Sequence, residues 1–130
     1  MKHVLLLIVT AIGFAIARPA VAQTLKVSSV DASDDKVFHN EAGQYLGHNL
    51  ILDVYDNSVT VKIDKHTEVL KLIADDAYKA TEENDTETYI YTLTIHKTVG
   101  VTTSADFEMR IQENKGQRRV AWLKLIAKRF

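Results

Sequence analysis

The chain of 130 residues carries 16 lysines and arginines against 17 aspartates and glutamates, five histidines, one proline and no cysteine, with 46% of its residues apolar. This is ordinary globular composition at single-domain length, which excludes collagen-like, coiled-coil and disordered chains, and its near-neutral charge offers nothing to attract nucleic acid. Without cysteine there is no disulfide framework, thiolate metal site, Cys nucleophile or lipidated cysteine.

Lys2 and His3 precede an uncharged apolar run from Val4 to Ala17, and Arg18 ends it. The run is shorter than the roughly 20 residues that a membrane helix needs. Ala20-Val21-Ala22 then supplies a small-x-small cleavage pattern, so residues 1–22 are expected to be a signal peptide and 23–130 a single domain of a secreted or periplasmic protein. The mature chain of 108 residues, with 14 basic and 17 acidic side chains, has no transmembrane span and must hold together by packing alone.

From Gln23 onward the dominant pattern has period two, as half-buried strands require. Thr24 to Val30 is a first strand, and Asp31 to Gly47 is a connection with room for a short helix or a short strand around Val37 to His39. Asn49 to Tyr55 follows, then the turn Asp56-Asn57. In Ser58 to Asp64, Val59, Val61 and Ile63 alternate with polar residues. Thr67 to Ala74 and Tyr78 to Glu82 lead to the turn Glu83-Asn84-Asp85. The next strand, Thr88 to Lys97, sets Tyr89, Tyr91, Leu93 and Ile95 on one face, and Ala105 to Gln112 does the same with Phe107, Met109 and Ile111. After the turn Asn114-Lys115-Gly116, Arg119 to Phe130 fits both a helical stripe and a strand apolar on two faces, with strand favoured by the hairpin signal before it. The expectation is an all-β fold, an antiparallel meander of about seven to eight strands closed into a small barrel or folded as a sandwich.

The run Leu50-Ile51-Leu52-Asp53-Val54-Tyr55-Asp56-Asn57-Ser58-Val59-Thr60-Val61 and the meander that follows it to Ala127 resemble the small secreted calycin-like β-proteins of bacteria, a group that includes lipocalin-like binding barrels. The Gly-x-Trp signature of true lipocalins is absent, the one tryptophan being Trp122. The resemblance implies binding of a small apolar ligand or a partner protein and carries over no catalytic residue.

Catalytic patterns are sparse. His39, His48, His66 and His96, with acidic neighbours Glu41, Asp64 and Glu68, lack the spacing of a metal site, and Asp31-Ala32-Ser33-Asp34-Asp35 lacks the Gly and distal Glu of a calcium loop. There is no Gly-x-Ser-x-Gly elbow, so only Ser or Thr with a distant His, such as Ser104 or Ser58, could serve as nucleophile. Adjacent carboxylates such as Glu82-Glu83 point to opposite faces of a strand, and no glycine loop would cradle a phosphate. Neither enzymatic activity nor a cofactor is expected.

Two sets of residues are candidates for binding. Tyr89, Tyr91, Phe107 and Met109 would fill a core or line a cavity for a small apolar molecule, with tyrosine hydroxyls as polar anchors. No Lys or Arg shares their face, so a fatty-acid carboxylate would find no counter-charge. The second set, Arg118, Arg119, Lys124, Lys128 and Arg129, makes the closing segment basic and suits an acidic partner or an anionic envelope surface, or else protects a strand edge.

Overall fold

The computed structural model describes residues 21–33, 38, 42–116 and 119–130. Eight antiparallel strands form one closed barrel in chain order: β1 (Val21–Ala32), β2 (Asn49–Val54), β3 (Ser58–Ile63), β4 (His66–Ala74), β5 (Ala77–Glu83), β6 (Glu87–Thr98), β7 (Val101–Glu113) and β8 (Val120–Lys128). The choice between barrel and sandwich is thereby resolved, and the ambiguous closing segment is strand. Of the expected signal peptide, residues 1–20 lie outside the described residues, while Val21 and Ala22 pair with Val54 and Asp53 at the start of β1.

Closure depends on β1 serving two neighbours. Its first half pairs with β2 and its second half with β8, the change falling at Lys26, which faces both Asn49 and Lys128. A bulge between Val27 and Ser29 bends the strand at this point, and the Ser28 hydroxyl donates to the Ile126 carbonyl at 3.2 Å. Bulges of this kind increase local twist and let a sheet curl onto itself. The neighbouring backbone is tied down by Val27 N–H donating to the His48 carbonyl and Gly47 N–H to that of Val27.

Alternation sends the apolar set inward. Leu25, Leu50, Leu52, Val59, Val61, Leu70, Leu93, Phe107, Leu123 and Leu125 are all buried in one core. The outer face carries Lys62, Lys71, Lys79, Thr94, His96 and Lys128, an arrangement opposite to the apolar outer band of a membrane-spanning barrel.

The hairpin register assigns the turns to two ends. One end gathers residues 64–65, 84–86, 114–116, Arg119 and the described part of the β1–β2 connection; the other gathers residues 55–57, 75–76 and 99–100 with Val21 and Phe130. We call these the upper and lower ends. The connection, where the sequence leaves room for helix or strand, carries a 3-10 helix at Ala42–Gln44 and contributes buried Phe38 and Tyr45 to the core.

Candidate functional site

Beneath Phe38 and Tyr45 the upper end of the barrel encloses a cavity of about 150 Å³. Period two explains each strand's contribution. Val61 and Ile63 come from β3, His66 and Glu68 from β4, Tyr91 from β6, and Phe107 and Met109 from β7. Tyr91 faces Met109 in register, so Phe107 is its diagonal neighbour, within reach of an aromatic ring. The two rings stack at 6.4 Å between centroids with planes 11° apart.

The polar groups at this end are arranged around Tyr91. Burial raises its pKa well above the ordinary phenol value, and the nearby Glu68 and Glu82 carboxylates add to the shift. The phenol therefore stays protonated. On the other side of the cavity, Tyr45 stands 6.5 Å from the ring of His66 and 6.5 Å from that of His48. His48 turns away from the cavity, its Nδ1 donating to the two Asp64 oxygens at 2.8 and 2.9 Å.

Three of the four aromatic-set residues expected at a ligand site, Tyr91, Phe107 and Met109, line this cavity. Tyr89 is not among the lining residues; its hydroxyl donates to Glu87 Oε1 at 2.9 Å, a bond that together with partial burial raises its own pKa. Phe38 and Tyr45 had no legible signal, because they sit in a connection without periodicity. Glu68 had one: it stands two residues before Leu70 on an alternating strand, which places its carboxylate on the inward face.

The basic set does not form one patch. Arg118 lies outside the described residues, and Arg119 is at the upper end, about 30 Å from Arg129 at ~3.3 Å per strand residue. Lys124 lies between them, opposite Asp31 on β1 and Glu108 on β7, as charge pairing across strands would have it. Lys128 and Arg129 instead join Lys26, Val27, Ser28 and Phe130 around a surface groove at the lower end. There Lys26 Nζ lies 5.8 Å from the centre of the Phe130 ring.

His39, Asp34, Asp35 and Glu41, weighed above for metal chemistry, lie outside the described residues. Among the described residues no three His, Asp or Glu side chains gather into a group able to hold a metal ion. Ser104 stands opposite His96 in register, and His96 Nε2 lies 3.1 Å from Asp106 Oδ2. These three residue types are those of a hydrolase triad, yet no hydrogen bond links Ser104 to His96, and the histidine is exposed on the outer face.

No protein family, curated protein or solved structure matches the chain.

Proposed function

We propose that this protein is an exported, non-enzymatic binding module that holds a small molecule inside the upper end of its barrel. The observation carrying this reading is the cavity itself: an aromatic-lined space of about 150 Å³ at the upper end of the barrel. Protein interiors leave few voids larger than a water molecule, and apolar cavities of about this size accept a single ring. Long acyl chains are disfavoured on two grounds, since pockets for drug-sized ligands run from roughly 300 Å³ upward and no Lys or Arg is found among the described residues that line this one. The Ser104, His96 and Asp106 set does not support a serine-nucleophile reading, because such a nucleophile requires contact with its base and no hydrogen bond links Ser104 to His96.

Native mass spectrometry of the chain from Gln23, purified from its own host, tests the proposal. Extra mass that disappears on unfolding is the expected result. Bare chain, together with no stabilisation by any ring-sized compound, would refute it.

A second reading, contact with an anionic envelope surface, is favoured by one feature of the lower end. Lys26, Lys128 and Arg129 there surround Phe130, which is 77% exposed, and a basic rim around an apolar side chain suits an anionic bilayer. Sedimentation with vesicles containing phosphatidylglycerol would be lost in Lys128→Glu and in high salt on this reading. Salt-independent or absent sedimentation would remove it.

A further inference from the structure

We infer that the tip of the β6–β7 hairpin is a membrane-insertion element, which carries Val99 and Val101 past Phe130 into the headgroup layer of an anionic phospholipid bilayer. This deepens the envelope-surface reading above and rests on it. Register fixes where the tip stands. Ser104 pairs with Lys128, and Arg129 N–H donates to the Thr103 carbonyl, so Phe130 lies level with Thr102. The ladder between β6 and β7 continues beyond that level to its last pair, Thr98 with Val101, and Val99 and Gly100 close it. The tip thus projects past Phe130 by two residues, roughly 7 Å. That matches the depth of about 5–10 Å at which apolar groups settle between headgroups and acyl chains.

The composition and backbone of the tip suit this place. From Thr98 to Ser104 the chain carries no charged side chain, so insertion strips water from no ion. Val99 is 96% exposed, and Val101 and Phe130 are exposed as well, which leaves three apolar side chains that a bilayer would bury. Val99 also holds φ at 52°, a strained angle for a β-branched residue that no burial within the barrel offsets. A contact outside the chain would offset it. Because the ladder is paired as far as Thr98 and Val101, the tip brings little unpaired backbone into the lipid.

Charge decides which surface the tip enters. Lys26, Lys128 and Arg129 stand behind it around Phe130, where anionic headgroups would lie once Val99 is inserted. Lys97, by contrast, is held by Asp76 at 2.9 Å. Asp56 and Asp75 lie on the two other lower turns, and like charge keeps those turns off the lipid, so the barrel leans onto its β7–β8–β1 side.

The test uses the processed protein from its own host and vesicles of phosphatidylcholine with or without phosphatidylglycerol. The chain has no cysteine, so Val99→Cys and Asp85→Cys each accept one polarity-sensitive dye, the first at the tip and the second on an upper turn. A blue shift of the dye at position 99 on phosphatidylglycerol vesicles is expected, with none at position 85. Val99→Asn should bind those vesicles about tenfold more weakly, equivalent to about 1.4 kcal/mol, without a lower urea midpoint. Vesicle binding that Lys128→Glu abolishes but Val99→Asn leaves intact, with the dye at 99 unmoved, would overturn the insertion and keep the envelope reading. An equal shift on phosphatidylcholine alone would overturn the choice of an anionic surface. A shift produced by host envelope proteins and not by vesicles would overturn the inference and give the tip to a protein partner. Absence of vesicle binding altogether would remove both the inference and the reading beneath it. Should Val99→Asn fail to fold, the two dye positions decide alone.

Discussion

Lys26 and Lys128 face each other directly across the seam where β1 meets β8 and the barrel closes. Like charges opposite one another in an antiparallel pair are destabilising by up to about 1 kcal/mol, so the seam carries a repulsion, against which the Phe130 ring offers Lys26 an attractive face 5.8 Å away. Lys128→Glu converts the repulsion into an attraction. It is expected to raise the urea midpoint by an amount equivalent to roughly 0.5 kcal/mol at low ionic strength, and to lose that advantage near 1 M salt, where exposed charges are screened within about 3 Å. An unchanged midpoint at low salt would show that the two ammonium groups already avoid each other.

The tyrosines give the fold a directional response to alkali. Burial is the main cause of the raised pKa of Tyr91, Tyr78 and Tyr55, and the bond to Glu87 is the main cause at Tyr89. Lys97 is also raised, chiefly by its hydrogen bond to Asp76. A group whose pKa is higher in the folded state binds its proton more tightly there. The stability it contributes is complete below the unfolded value, near 10 for tyrosine, and is lost as pH climbs above that value through the folded one. Urea midpoints measured from pH 8 to 12 should therefore hold to about pH 10 and then fall, and Tyr91→Phe should flatten the decline. A midpoint that rises in this range, or falls as steeply in Tyr91→Phe, would contradict the assignment.

Most of the barrel was legible because one face of each strand is buried and the other is wet, which writes period two into the sequence. Val59, Val61 and Ile63, and Leu93 with Ile95, are buried as their alternation demands. The closing strand was ambiguous for a physical reason. Trp122, Lys124 and Ile126 are all half-buried on the outer face of β8, so apolar residues occur on both sides and imitate a helical stripe. What could not be read was the cap of the cavity. Phe38 and Tyr45 reach the core from a connection, and no periodicity links them to the strands they cover. Glu68 was visible only as an acidic neighbour of His66; recognising it as a cavity group required knowing which face of β4 turns inward.

The stacked pair Tyr91 and Phe107 allows packing and binding to be separated. Phe107 is 2% exposed and forms part of the core, so Phe107→Ala should cost about 3–5 kcal/mol of stability, the usual range for removing a buried ring. Tyr91 is only partly buried and lines the cavity, so Tyr91→Phe should cost less while weakening retention of a bound ligand. Denaturant curves with and without a ring-sized compound such as benzyl alcohol would show both effects. Equal losses for the two variants would mean that Tyr91 acts simply as core.

The hairpin between β6 and β7 offers a prediction independent of any ligand. Val99 and Gly100 occupy its tip with φ of 52° and 76°, the left-handed pair that a two-residue turn requires and that Asn-Gly satisfies best. A β-branched residue is a poor occupant of this region, where ordinary side chains cost roughly 1–2 kcal/mol. No burial compensates, since Val99 is 96% exposed. Val99→Asn should therefore stabilise the protein by about 1 kcal/mol, read as a higher urea midpoint with an unchanged slope. Val99→Ala, which removes the branching while retaining a Cβ, should recover only part of that gain. Loss of stability in Val99→Asn would show that Val99 makes a contact that its exposure in the isolated chain does not display, and would direct attention to a partner at the lower end of the barrel.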